Sequence, residues 1–299
     1  MAQPEFSATT PDIIALALAE DIGPGDVTAR HFTRPGATAT ARLIARQDCI
    51  LAGTATAAEV FRRVGPTLEI EIHHADGTRL EKGTAALTVN GPAAPILTAE
   101  RTALNFIQRL SGVATLARRF ADAIAGTGAK ILDTRKTTPG LRLLEKAAAA
   151  SGGATNHRLG LHDMVMVKDN HLATGLDPAA LQEMVDRFRE AHPSIRIEIE
   201  ADTPAQAEKF FSLRGIDAVL LDNMSLAELR EAVRLRPPGI SLEASGGVTL
   251  ETVRAIAETG VDFISVGAIT HSAPAIDFAL DFIPAPQKTP LPLNNSADT

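Results

Sequence analysis

The sequence predicts an α/β protein whose second half is a run of parallel βα units, and three observations carry that expectation. Short apolar runs end at Asp133, Lys168, Glu200, Asp222, Ser245 and Gly267, at successive spacings of 35, 32, 22, 23 and 22 residues. Helix-like segments lie between them: LRLLEKAAAA (141–150), AALQEMVDRF (179–188) and LETVRAIAET (250–259). The runs VMV, DAVLL and FISV suit strands covered on both faces. Such units either close into a barrel or line up as an open parallel sheet. No GxGxxG follows the first strand, which disfavours a dinucleotide-binding sheet.

The region before the repeat is mixed α and β. A helix is expected near Asp12–Glu20, a strand at TARLIA (40–45), a helix over Thr56–Val64 and an alternating strand at TLEIEIH (67–73). Asp76-Gly77 marks a turn, and a further strand follows near Ala85–Val89. From Pro95 to Ala125 the pattern turns helical, with Leu97, Leu104, Ile107, Leu110, Leu116 and Phe120 mostly three or four residues apart. A break is expected at Ser111-Gly112, and the element as a whole links the two halves. The tail PAPQKTPLPLNNSADT is rich in Pro and polar residues, a composition expected to stay disordered.

Composition bounds the function. The apolar share of 45% and charged share of 22% are those of an ordinary globular protein, and 299 residues give room for roughly two domains. A net charge of -7 argues against general affinity for nucleic acid or anionic membrane. Between Lys130 and Lys168, however, seven Lys and Arg stand against three acids. A positive region in an acidic chain suits a small anionic ligand, although several separate solvated surfaces would give the same count. The single cysteine, Cys49, rules out an intrachain disulfide and points to a reducing cytoplasm. The N-terminus has no basic n-region, and its apolar run stops at Glu20-Asp21, so it does not read as a signal peptide. No apolar run approaches the roughly 18 residues of a membrane span.

The strand ends carry the chemistry. In a β/α barrel the reacting groups gather on the loops at the C-terminal ends of the strands. Here those positions hold Arg135-Lys136, Lys168-Asp169-Asn170-His171, Glu200, Asp222-Asn223, Ser245-Gly246-Gly247 and Gly267-Ala268. Polar residues also end strands and cap helices, which accounts for any one of these better than for Lys168 and Glu200 together. Two adjacent cations after Asp133 are surplus to the DTRKTTPG turn, which needs only its Asp, Thr, Pro and Gly residues. The glycines of Ser245-Gly246-Gly247 and Gly267-Ala268 lie on late strands, where exposed amides commonly cradle a phosphate. Of the eight histidines none forms an HExxH or Cys/His pattern, and His157 stands out because Arg158 follows it in another basic loop.

These residues fall in segments that resemble a known family. DTRKTTPGLRLLEKAAAASGGATNHRLGL, MVMVKDNH, EIEAD, LLDN, EASGG and SVGAITHS look like successive signatures of quinolinate phosphoribosyltransferase, also called nicotinate-nucleotide pyrophosphorylase (carboxylating). EDIGPGDVT and ERTALNFIQRLSG resemble that family's N-terminal signatures, so the similarity runs from about Glu20 to Asp281. His162 stands where a small residue is more usual.

The resemblance implies an N-terminal α/β sandwich domain over 1–114, an incomplete parallel β/α barrel over 115–284 and a tail over 285–299. It implies transfer of a phosphoribosyl group from phosphoribosyl pyrophosphate to quinolinate with decarboxylation, a step of de novo NAD biosynthesis yielding nicotinate mononucleotide, pyrophosphate and carbon dioxide. The implied catalytic residues are Lys136, Lys168, Glu200 and Asp222. Substrate binding is implied for these four and for Arg101, Thr134, Arg135, His157 and Arg158. The late strands add Ser245, Gly246, Gly247, Val266, Gly267 and Ala268. Mg²⁺ is implied at Glu200 and Asp222, directly or through water, and so is a cytoplasmic homodimer whose sites are shared between subunits, Arg101 of one reaching the site of the other.

Three alternatives stay open on the sequence. A Schiff-base aldolase could use Lys168 as its nucleophile, but it leaves the number of cations unexplained. A molybdenum-transport-associated paralogue shares DTRKTTPG and should depart around NHR and KDNH, both of which this chain keeps. A non-catalytic anion-binding protein would need the cations without the two acids.

Overall fold

The computed structural model describes residues 12–168 and 178–283. The tail, and Asp169-Asn170-His171 after Lys168, lie outside the described residues.

The first layer is a four-stranded antiparallel sheet of β1 (Thr38–Ala45), β3 (Glu69–Ile72), β5 (Ala85–Pro92) and β12 (Phe278–Ile283), in the order β12-β1-β5-β3. Helices α3 (Thr54–Val64) and α4 (Ala93–Ala123) cover one face, burying Phe61, Ile96 and Ile107 against Leu43 and Leu87. Two shorter helices precede the sheet, α1 (Ile13–Ile22) and α2 (Val27–Phe32). The side chains of Asp12 and Asp26 cap them by accepting from the amides of Ala15 and Ala29. A short ribbon of β2 (Cys49–Ile50) and β4 (Arg79–Leu80) stands apart. The α/β sandwich is therefore present. Its β12 comes from the far end of the chain and pairs Leu280 with Leu43.

The second body is the βα repeat. β6 (Lys130–Leu132), β7 (Val165–Val167), β8 (Ile197–Ala201), β9 (Ala218–Asp222), β10 (Ser241–Ser245) and β11 (Phe263–Ser265) form one parallel sheet in the order β6-β11-β10-β9-β8-β7. The two earliest strands thus sit at opposite ends, and no ladder joins them among the described residues. A closed barrel of this class has eight strands, so six leave it open between β6 and β7. Helices α5 (Arg142–Ser151), α6 (Pro178–Ala191), α7 (Pro204–Phe211), α8 (Leu226–Leu235), α9 (Val253–Ala257) and α10 (Ala268–His271) connect the strands and flank the sheet. Among the described residues no helix is long and apolar enough to cross a membrane.

Helix α4 serves both cores. Ile96, Ala103 and Ile107 face the sandwich core, whereas Val113, Ala117 and Phe120 belong to the barrel core. It runs unbroken through Ser111-Gly112, where a break was expected. Ser111 Oγ accepts from the Ala52 amide at 3.0 Å and donates to the Ala52 carbonyl at 3.1 Å. A Cβ on Gly112 would lie 2.1 Å from the Pro274 carbonyl oxygen, so this glycine permits a close approach rather than a bend. The expected helix at 250–259 is confined to α9, because Thr249 and Thr252 first form a turn in which the Thr249 amide donates to Thr252 Oγ1.

Candidate active site

Side chains along a strand alternate between its two faces, so Glu198 and Glu200 of β8 lie on one face, as do Glu243 and Ser245 of β10. The lumen therefore carries acids at two depths. Nearer the C-terminal rim, Lys168 Nζ donates to Glu200 Oε2 at 2.7 Å. The lysine side chain is 43% exposed and the glutamate 10%, so the pair is reachable from one side. Asp222 ends β9 beside it, and its Oδ2 accepts from Asn223 Nδ2 at 2.8 Å.

The glycines are shaped by these neighbours. Asn223 has φ 53°, a left-handed backbone, and its amide donates to the Ser245 carbonyl at 2.8 Å. A Cβ on Gly246, whose φ is 95°, would fall 2.1 Å from Asn223 Oδ1, so the loops after β9 and β10 interlock only through a glycine. At Gly267 the space a Cβ would take is bordered by Lys136 Cδ at 3.1 Å. Lys136 thus extends from the loop after β6 across the loop after β11, its neighbour in the sheet. Thr270 Oγ1 donates to the Lys136 carbonyl at 2.8 Å, and the Lys136 amide donates to Thr134 Oγ1 at 3.0 Å. Gly247 is exposed and Ala268 half-buried at the start of α10. Val266 differs in kind: its side chain is 1% exposed and its amide donates to the Leu132 carbonyl, so it builds the sheet beneath Gly267.

The DTRKTTPG loop is held from below. Asp133 is buried and accepts from Lys146 Nζ at 2.5 Å and from the His157 amide at 2.8 Å. Burial raises the Asp133 pKa and lowers that of Lys146, each against the attraction of its partner. Glu145, fully buried, accepts from Thr138 and from Arg109 on α4, fixing the loop to the helix layer. Arg135 and Arg158 project from this frame. Arg135 Nε is buried with no hydrogen-bond partner, and burial together with the charge of Arg135 lowers the pKa of Arg158. Two guanidinium groups close enough to repel define a place for an anion.

His157 does not face the rim. Its side chain is 6% exposed and its Nε2 lies 3.3 Å from both Glu198 Oε2 and Glu243 Oε2. Burial alone would lower its pKa, but the bonds to the two glutamates push it up to about 9. Burial pushes Glu198 up to about 7. A cavity of about 370 Å³ adjoins this cluster, lined by His157, Arg158, Glu198 and Glu243 and, where strands begin, by Lys130 and Phe263. Lys168, Glu200 and Asp222 do not line it, so it lies on the N-terminal side of the rim. Arg101 is exposed on α4, where its charge acts on the neighbouring Glu100.

Glu200 and Asp222 are hard oxygen donors on neighbouring strands at a half-exposed rim, a donor set that fits Mg²⁺ sharing its shell with water and phosphate oxygens. The sequence expectations left out Glu198, Glu243, the Asp133–Lys146 pair and the Arg109–Glu145 pair. The E-x-E spacing of EIE held the signal for Glu198, because period two puts it on the face of Glu200. The two buried ion pairs join residues that no short-range pattern links.

Comparison with known proteins agrees with this architecture. Residues 26–111 match the model of the quinolinate phosphoribosyl transferase N-terminal domain, and 113–281 that of its C-terminal domain. Quinolinate phosphoribosyltransferase [decarboxylating] 2a, mitochondrial, of Nicotiana tabacum is 41% identical over 284 residues, covering 90% of this chain and 80% of its own. The probable nicotinate-nucleotide pyrophosphorylase [carboxylating] of Bacillus subtilis is 40% identical over 263 residues, 88% of this chain and 89% of its own. The solved structure of the nicotinate-nucleotide pyrophosphorylase from Francisella tularensis superposes with a TM-score of 0.86 at 35% identity, over 94% of this chain and 98% of that one. With both domains matched in order and relatives near 40% identity over most of their length, the chain belongs to the quinolinate phosphoribosyltransferase family.

Proposed function

We propose that the protein transfers the phosphoribosyl group of phosphoribosyl pyrophosphate to quinolinate and decarboxylates the product, giving nicotinate mononucleotide, pyrophosphate and carbon dioxide for NAD biosynthesis. The observation that carries this reading is the rim, where Lys168 bonds to Glu200 on the strand next to that of Asp222, together with Arg135 acting on the charge of Arg158. Quinolinate bears two carboxylates on adjacent ring carbons, and paired guanidinium forks suit that shape. Lys168 supplies a third cation. Lys136, lying across Gly267, and the Gly246-Gly247 loop supply charge and backbone approach for the phosphates.

In the first step the bond from the anomeric carbon to pyrophosphate breaks as the pyridine nitrogen bonds to that carbon. Positive charge grows on the sugar, by analogy with glycoside chemistry, and Glu200 and Asp222 stabilise it and hold the ribose hydroxyls. Glu200 and Asp222 would hold Mg²⁺, which would supply positive charge to offset that of the pyrophosphate. In the second step the bond to the carboxyl carbon beside the ring nitrogen breaks. Its electron pair stays on the ring carbon, stabilised by the adjacent pyridinium nitrogen, and takes up a proton as carbon dioxide leaves. The protein's work is to position and to match charge.

The reading extends to a cytoplasmic homodimer with Arg101 of each subunit completing the other's site. The exposure of the Arg101 side chain on α4 supports this. No observation favours an aldolase: Lys168 is engaged by Glu200, whereas Schiff-base lysines are activated by apolar surroundings or a second cation. Purified protein supplied with quinolinate, phosphoribosyl pyrophosphate and Mg²⁺ is expected to form nicotinate mononucleotide. Absence of product under conditions where a known family member is active would sink the proposal.

A further inference from the structure

The lumen of a β/α barrel is ordinarily filled by branched apolar side chains. Here its middle is polar. His157 Nε2 stands 3.3 Å from one oxygen of each of Glu198 and Glu243, all three side chains being at least nine-tenths buried. Ser265 Oγ of β11 donates to the other oxygen of Glu243. On the remaining side of the ring, Nδ1 lies 2.6 Å from the Arg158 amide nitrogen.

The position of this cluster matters because the barrel is open. The segment carrying His157 runs beside β6 at the edge of the gap, where Thr155 makes a single parallel bridge to Leu132. Its backbone is tied to the β6 side through Asp133 and through Lys146, which donates to the His157 carbonyl at 3.0 Å. No strand continues the ladder beyond it among the described residues. The imidazole ring ties it to β8 through Glu198 and to β10 through Glu243, and the Arg158 guanidinium ties it to the β7 side, donating to the Met164 carbonyl at 3.3 Å and to Met166 Sδ at 3.5 Å.

Resting on the transferase reading above, we propose that Glu198 and Glu243 are positioning residues: they hold the His157 ring as a strut across the open barrel and so fix Arg158 where it meets a pyridine carboxylate. Neither glutamate touches substrate. Their effect passes through the ring to the backbone of Arg158, whose guanidinium lines the same cavity. The consequence is selective: quinolinate capture depends on the strut, whereas phosphoribosyl pyrophosphate is held elsewhere on the rim.

The test compares the full-length protein with Glu198→Gln, Glu243→Gln and Ser265→Ala. The amides keep the volume of the acids but remove the negative charge that faces the ring. Each Gln variant is expected to raise the quinolinate KM about tenfold, the scale of one charged hydrogen bond. The KM for phosphoribosyl pyrophosphate should stay within about twofold and kcat should fall less than the quinolinate KM rises, because ground-state capture is what is lost. Ser265→Ala, which only loosens Glu243, should shift the quinolinate KM in the same direction by about threefold. An active wild type whose variants keep the quinolinate KM, or raise both KM values alike, would overturn the proposal. Should the Gln variants fail to fold, nitrogen-15 NMR of the wild type decides: a solvent-protected imidazole N–H at His157 Nε2 supports the strut, and a freely exchanging ring contradicts it. Stoichiometric Zn²⁺ held by His157 in the purified protein would also contradict it. A wild type that makes no nicotinate mononucleotide would fail the transferase reading instead, leaving the NMR result to judge the strut.

Discussion

Lys168 and Glu200 are bonded to each other across the rim, Nζ to Oε2 at 2.7 Å, from the ends of the neighbouring strands β7 and β8. Each has a different task in the proposed reaction, the lysine at a pyridine carboxylate and the glutamate at the ribose. A quinolinate carboxylate entering the site competes with Glu200 for the same ammonium. In the proposed reaction, substrate binding and release of the Glu200 carboxylate are thereby one event.

The first expected outcome follows from that division of labour. Glu200→Gln and Asp222→Asn should bind quinolinate within about threefold of wild type while kcat falls on the order of 100-fold, since their work is done on charge that appears in the transition state. Calorimetric titration and steady-state rates measure the two separately. Lost binding with normal turnover at saturation would reverse the roles assigned here.

Arg135 tests the dicarboxylate side. Arg135→Lys keeps the charge and loses the planar fork, so quinolinate should bind more weakly by about 1.5 to 3 kcal/mol. Direct titration checks this, and an unchanged Kd would remove Arg135 from the pyridine site.

Arg101 tests the shared site. Arg101→Ala and Lys168→Ala homodimers should each be nearly inactive. Unfolded and refolded together in equal amounts, they should recover about a quarter of wild-type activity, because roughly half the dimers are mixed and each of those has one intact site. Mixed dimers verified by mass spectrometry, yet without recovered activity, would place Arg101 in its own subunit's site or in none.

The His157 cluster gives a pH signature of stability. Although burial acts to lower it, the two glutamates push the His157 pKa from 6.5 to about 9. The folded chain therefore binds more protons than the unfolded one between these values. The stabilisation is complete below the unfolded pKa and is lost as pH rises through about 9. Urea unfolding at pH 6 and pH 9.5 should show a larger drop for wild type than for His157→Gln. Equal drops would mean that the ring is not charged in the fold.

Much of this was legible in the sequence because it depends on local pattern. The spacing of apolar runs announced the strands, and the rim residues Lys168, Glu200 and Asp222 followed from their ends. What was not legible depends on pairing across distance. β12 joins β1 through a register set by the tertiary fold, and nothing near Phe278 signals it. Ser111-Gly112 resembles a helix break, yet Ala52 and Pro274, far along the chain, make it a contact inside α4. His157 carried a signal for chemistry by its basic neighbour, but the direction of its ring was set by Glu198 and Glu243 on two other strands.

The central claim is that this rim joins a pyridine dicarboxylate to a phosphoribosyl group and then releases one carboxyl. It is tested most directly with quinolinate carrying carbon-13 in the carboxyl beside the ring nitrogen, incubated with phosphoribosyl pyrophosphate, Mg²⁺ and purified protein. Labelled carbon dioxide and nicotinate mononucleotide should appear in equal amounts, and both should disappear in Lys168→Ala. Carbon dioxide without nucleotide, or neither product while a known family member turns over in the same buffer, would contradict it.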